Sequence, residues 1–270
     1  MAAMAVSAAP PRPTLAPSPA VMAIIIDDMG YRRADGLRAI ELPGAVTLAF
    51  LPHTPYTESL ARLAFQVDKE VMLHLPMEAR GGAALGPGGL TASMRRAELQ
   101  ATVRRALAAV PHAVGVSNHM GSLLTPRREP MQWLMETLRE TGGLYFVDSH
   151  TVAGSVASRV AHDNGLPALR RDVFLDHHRS RTMIRHEMER LVRIARERGR
   201  AVGIGHPYPE TLDVLDEMLP QLSARGVELV PASALARRRA PTPSWTVPVH
   251  QTVGDPPQPP SPAAATTNIR

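Results

Sequence analysis

Residues 23–31 read AIIIDDMGY. An apolar run stops abruptly at two adjacent carboxylates, Asp27 and Asp28, and a glycine follows at once. Short, continuously apolar runs suit strands buried on both faces of a parallel sheet. Seven more runs follow: VTLAFL (46–51), VML (71–73), AVGV (113–116), LYFV (144–147), VFL (173–175), AVGI (201–204) and VELV (227–230).

Helical patterns fill most of the gaps. Leu99, Val103, Ala106, Leu107 and Val110 recur at helical spacing and stop at Pro111. Met131, Leu134, Met135 and Leu138 form a stripe closed by Gly142 and Gly143. Ile184, Met188, Leu191 and Ala195 end at Gly199, and Leu212 to Leu222 end near Gly226. Glycine suits the left-handed residue that closes a helix. Alternating strands and helices imply a parallel sheet covered by helices. The expected fold is α/β, a distorted (β/α) barrel of seven to eight parallel strands with outer helices. An open doubly wound sheet is the alternative. No glycine-rich nucleotide loop follows the first run.

The chain has 270 residues, 44% apolar and 20% charged, which is a globular composition. It has no cysteine, which excludes disulfides, thiolate metal sites and cysteine nucleophiles. No apolar stretch is long enough for a membrane-spanning helix. The net charge of +5 and pI near 10.3 invite a nucleic-acid reading. Arg12, Arg238, Arg239, Arg270 and Asp255 carry +3 of that charge in the two ends. A basic stripe with interleaved aromatics is missing, so no nucleic-acid partner is expected. Prolines crowd the same ends, five up to Pro19 and eight from Pro241 to Pro262. The domain reading is a disordered tail over 1–20, a barrel over 21–237 and a disordered Pro-rich tail over 238–270. MAAMAVSAAPPRP lacks a basic start and a long apolar run, so it makes no clear signal peptide.

The chemistry follows the strands. His53, His74, His119, His150, His177, His178 and His206 each come just after an apolar run, seven of the eleven histidines. In a (β/α) barrel those positions form the carboxyl rim, where active sites of this architecture sit. Asp27 and Asp28 repel each other unless something positive lies near, and a divalent metal is the natural partner. Adjacent strand residues diverge, so one carboxylate is expected on metal and the other on a proton. The pair also fits a helix N-cap. His74 and His119 are the candidate imidazole ligands, suited with carboxylate to Zn²⁺ or another first-row divalent ion. Asn118 and Ser122 are placed to hydrogen-bond around His119. Asp148 orients a ligand histidine, positions substrate, or caps the next helix through Ser149. Asp176 ends its run as Asp172 begins it, so Asp176 is the better site candidate. His206, between Gly205 and Pro207, fits a general acid or a histidine bonded within a turn. A nucleophilic serine lacks its G-x-S-x-G elbow. Carboxylate-pair glycoside hydrolysis from Asp27, Asp148 and Asp176 leaves the histidines unused.

Six motifs then stand in order: IIIDDMG, MLHLPME, SNHMGS, FVDS, RDVFLD and GIGHP. Together they resemble the divergent polysaccharide deacetylase family, a branch of the carbohydrate deacetylases. The resemblance implies a distorted barrel of about seven strands and a metal-dependent hydrolase of acetylated glycan in the periplasm or cell envelope. The unclear signal peptide leaves a cytoplasmic location open. The resemblance implies Asp27 as base, Asp28 as metal ligand and His206 as acid. The broader group takes two metal histidines from one short motif. Here that place holds HLPM with His74 alone, and His119 is assigned as the second. The group's Arg-Pro-Pro-Tyr stretch is missing. The expected activity is removal of N- or O-acetyl groups from a glycan by metal-activated water, with Zn²⁺ the expected ion. The alternatives are an inactive glycan-binding or envelope-organising protein on the same fold, and a metal hydrolase for another bond. The Pro-rich tail is a candidate ligand for an envelope protein partner.

Overall fold

A computed structural model describes residues 19–238. The two expected tails lie outside the described residues, except Pro19, Ala20 and Arg238. The strands are β1 (Ala20–Met29), β2 (Thr47–Phe50), β3 (Glu70–Met77), β4 (Gly115–Met120), β5 (Tyr145–Asp148), β6 (Ala168–Arg170), β7 (Val173–Phe174), β8 (Arg200–Gly205) and β9 (Val227–Leu229). The helices are α1 (Arg33–Glu41), α2 (Thr57–Gln66), α3 (Arg96–Ala109), α4 (Arg128–Thr141), α5 (Ala157–Asp163), α6 (Arg181–Arg198), α7 (Pro209–Met218) and α8 (Ala232–Arg237).

All eight expected runs form strands, and every pairing is parallel. The order β6-β5-β4-β3-β2-β1-β8-β7 has no reversal, so the doubly wound alternative is excluded. The two outer strands of that path, β6 and β7, are consecutive in sequence. Between them Arg171 donates its N–H to Asp148, and Asp172 to Val202. The barrel therefore shuts across a two-residue link instead of a ladder. β9 pairs with Ala20–Met22, while β2 pairs with β1 from Ile25 onward. β6 was not foreseen: Pro167 and Arg170 leave only Ala168 and Leu169 as its apolar run.

Alternation sorts the side chains. Val21, Ala23, Ile25, Met72, Tyr145, Val147, Val202 and Ile204 pack together inside the barrel. Met22, Ile24, Ile26, Leu73, Phe146 and Val116 pack against the helix layer. The four expected helical stripes lie buried on α3, α4, α6 and α7. Two 3₁₀ turns, Leu219–Gln221 and Ser223–Arg225, carry the last stripe on to Gly226. Gly199 ends α6 in the left-handed conformation.

The amino end of the barrel is plugged. Glu70 accepts hydrogen bonds from Thr47, the Tyr145 hydroxyl and the Ser233 N–H, at 3.0, 2.7 and 3.0 Å. The Ala232 N–H donates to Thr47 at 3.0 Å. The first turn of α8 thus caps a buried polar network.

Candidate metal centre

Continuing the inward parity past the apolar core gives Asp27 on β1, His74 on β3, His119 on β4 and His206 just beyond β8. The structure brings these four together with Asp28. Asp28 should face outward by alternation. The β1–β2 register breaks between Ile26 and Met29, and Asp28 adopts φ 57°. Such a break re-aims a side chain, and aspartate tolerates the left-handed region better than most residues. Both carboxylates therefore converge, where divergence was expected. His74 Nε2 lies 3.5 Å from Asp27 Oδ2 and 3.3 Å from Asp28 Oδ1. Neither aspartate caps a helix, since α1 begins after Arg32. Gly30, at φ 119°, makes the turn out of β1. A β-carbon there would stand 2.2 Å from the Thr54 hydroxyl.

Asp28, His74 and His119 each aim one ligand atom at a common point. His119 Nδ1 lies 2.9 Å from Asp28 Oδ1 and 3.2 Å from His74 Nε2. With the 3.3 Å between His74 and Asp28, the three atoms form a nearly equilateral triangle. A tetrahedral ion with bonds of about 2.0–2.1 Å needs ligand separations near 3.3 Å. The triangle fits one face of that tetrahedron. His74 Nδ1 rests 2.7 Å from the Ser117 hydroxyl, a contact that fixes the ring with Nε2 toward the cluster.

The charges follow from these contacts. Burial pushes the Asp27 carboxyl up, more than the surrounding histidines pull it down. Burial also opposes ionisation of Asp28. Hydrogen bonds from His119 and His74 outweigh it and hold Asp28 well below the usual carboxylate range. Asp27 Oδ1 is buried with no hydrogen-bond partner among the described residues.

His206 completes the rim. Its Nδ1 lies 2.9 Å from Asp176 Oδ1 and its Nε2 3.7 Å from Asp28 Oδ2. A carboxylate only accepts, so Nδ1 carries the proton toward Asp176. Burial lowers the imidazole pKa, but the hydrogen bond and charge of Asp176 raise it further, to about 9. Asp176 is buried and also accepts from the His206 N–H and the Thr211 hydroxyl. Gly205 permits this: a β-carbon there would meet Asp176 Oδ2 at 3.3 Å.

The remaining expected residues act around the cluster. Asn118 accepts from the Ser149 N–H and donates to the Met120 carbonyl, tying the ends of β4 and β5. Ser149 thus meets the site through its backbone. Asp148 follows Phe146 to the outer parity and caps the start of α5. It accepts from the His150 N–H, the Ser155 hydroxyl and the Ser158 N–H. Ser122 accepts from the Arg80 N–H and holds the loop after β3, outside the cluster. His53, His177 and His178 are exposed, and His150 pairs with Arg170. Ser117 was missed, although it lies two residues before His119 and in register with His74. Thr211 carried no signal.

Residues 24–236 match the model of the divergent polysaccharide deacetylases. The chain belongs to that family. This family member is 37% identical over 214 residues to the uncharacterized Escherichia coli (strain K12) protein YibQ, covering 79% of this chain and 66% of YibQ. It is 33% identical over 201 residues to an uncharacterized Haemophilus influenzae protein, covering 74% and 71%. The chain thus spans just under two thirds of YibQ. Among solved structures it is similar to the uncharacterized Agrobacterium tumefaciens protein ATU2773, with a TM-score of 0.77 and 27% identity. That match covers 83% of this chain and 92% of the other. No helix among the described residues is long and apolar enough to cross a membrane.

Proposed function

We propose that this deacetylase-family member is a metal-dependent hydrolase that removes acetyl groups from a glycan of the cell envelope, with Zn²⁺ as its ion. One observation carries the reading: the ligand atoms of Asp28, His74 and His119 all lie within 4.8 Å of one another. A carboxylate and two imidazoles packed this closely, with His74 buried and Asp28 and His119 half-buried, are costly unless a cation offsets them.

Asp28, His74 and His119 would hold the ion. When bound, it supplies an acidified water and polarises the acyl carbonyl. Asp27 takes the water's proton, and its partnerless Oδ1 is the free acceptor. Its raised affinity for a proton suits a base that must also give the proton up. His206 gives a proton from Nε2 to the departing amine or alkoxide, while Asp176 keeps Nδ1 protonated and the ring in place.

Elemental analysis after purification and reconstitution, with acetate release from chito-oligosaccharides and peptidoglycan fragments, tests this. One equivalent of bound ion and turnover are expected. A folded protein that stays metal-free after reconstitution overturns the reading. Glycan binding without turnover supports an inactive binding module instead.

A further inference from the structure

His206 is held by more than Asp176. β7 and β8 pair in the register Phe174↔Ile204, and two residues further along the chain stand Asp176 and His206. Side chains on a strand repeat every two residues, so Phe174 joins Asp176 on the inner side of β7. Phe174 packs against the interior cluster that contains Ile204. Tyr208 follows His206 by two residues, with Pro207 restricting the backbone between them.

Both rings touch the imidazole. The Phe174 centroid lies 5.2 Å from that of His206, with the planes inclined by 68°. The Tyr208 centroid lies 5.4 Å away, at 33°. Both separations fall in the range that aromatic pairs favour. Each ring also carries a guanidinium. Arg171 stands 5.0 Å from the Phe174 centroid, and Arg179 stands 3.9 Å from that of Tyr208. Arg171 is itself anchored, donating to the Ser149 and His150 carbonyls at 2.7 and 3.1 Å. Two arginine–aromatic stacks, one on β7 and one on the turn after β8, therefore meet at a single histidine.

The rings do what the hydrogen bond cannot. The bond from Nδ1 to Asp176 fixes one atom of the imidazole, and the ring can still rock about the line of that bond. Rocking displaces Nε2, the atom that faces Asp28. Contacts from two rings on separate elements oppose that motion. A misplacement of about 1 Å at a reacting group costs on the order of 10²-fold in rate.

We propose that Phe174 and Tyr208 are positioning residues for the proton donor, holding the His206 ring in the plane that aims Nε2 at the departing atom. The inference rests on the hydrolase reading above. The step served is cleavage of the acyl–nitrogen bond. The water oxygen bonds to the acyl carbon, and the bonding pair of the broken bond stays on nitrogen. The Nε2 proton moves to that nitrogen, giving a free amine and a carboxylic acid. The proton gained by Asp27 balances the one that His206 gives up.

The test uses the zinc-reconstituted full chain and two substrates. N-acetyl chitotetraose has an amine that leaves only with a proton, whereas the phenolate of 4-nitrophenyl acetate leaves unaided. Phe174→Leu and Tyr208→Leu should each lower kcat on the glycan at least about tenfold, with KM within about threefold. The glycan-to-aryl-ester ratio should fall by at least about fivefold in both. Tyr208→Phe keeps the ring and should keep the wild-type ratio. In a His206→Ala background, either Leu substitution should cost less than about twofold more of the residual glycan turnover, because the rings act through the imidazole. NMR relaxation of the His206 ring C–H groups in metal-free protein reads the ring directly, and both Leu variants should loosen it. Equal losses on the two substrates, or an undiminished further loss in the His206→Ala background, overturn the positioning role and leave the hydrolase standing. So does unchanged ring order in both variants. So does a Tyr208→Leu effect confined to KM, because Tyr208 would then be holding substrate. No turnover of either substrate by the wild-type chain overturns both readings.

Discussion

Asp176 and His206 are joined twice: the imidazole Nδ1 lies 2.9 Å from one carboxylate oxygen, and the His206 backbone N–H donates to the other at 2.6 Å. The double contact fixes both the tautomer and the position of the ring. Asp176→Asn should shift the ring titration in metal-free protein from about 9 toward the ordinary histidine value, read by NMR. Glycan turnover should fall about 10²- to 10⁴-fold. A ring that still titrates near 9 would mean that Asp28 and Asp27, not Asp176, set its charge.

The two adjacent aspartates should separate by function. Asp28→Ala is expected to lose bound metal and turnover together. Asp27→Asn should keep the metal while turnover drops about 10²- to 10⁴-fold. Metal content and acetate release on the same preparations check both. Loss of metal in Asp27→Asn would make Asp27 a ligand.

Ser117→Ala removes the hydroxyl 2.7 Å from His74 Nδ1 and leaves the ligand itself intact. Metal affinity should weaken about 10- to 100-fold. Competition with a chromogenic chelator measures this, and an unchanged affinity would reduce Ser117 to a packing residue.

Tyr145 makes a prediction about stability. Burial first, then the charge and hydrogen bond of Glu70, push its phenol well above the ordinary tyrosine value. The folded state therefore holds this proton more tightly than the unfolded chain does. Its contribution is fully present below about pH 10 and is lost as pH rises further. Tyr145→Phe should cost about 1–2 kcal/mol at neutral pH, because Glu70 loses a donor. The variant should also lose part of the alkaline fall in stability. Urea melts of both proteins at pH 8 and pH 10.5 test it, and parallel curves would count against the linkage.

Much of the centre was legible because a strand repeats every two residues. Counting inward from Ile25 gives Asp27, from Met72 gives His74, and from Ile204 gives His206. The same count from His119 back gives Ser117. It also assigns Asp148 to the outer face with Phe146, where it caps α5. Asp28 was legible as chemistry but not as geometry. Its inward turn depends on a register break and a positive φ, and no local pattern announces either. His53, His150, His177 and His178 share the rim in sequence, but loops direct them away. Rim position alone does not bring a histidine into the cluster; His74, His119 and His206 also keep the inward parity of their strands.

The plug formed by α8 bears on how the molecule matures. Every strand that supplies the metal cluster precedes Pro231. Yet Glu70 and Thr47 receive their last donors only from Ser233 and Ala232. On the ribosome, the rim that carries the candidate site is synthesised while the opposite mouth still exposes a carboxylate in an apolar shaft. Such an intermediate also exposes the apolar lining of the shaft, the kind of surface chaperones bind. Docking of the six residues of α8 would close it, which sets that helix after the nine strands in the order of assembly.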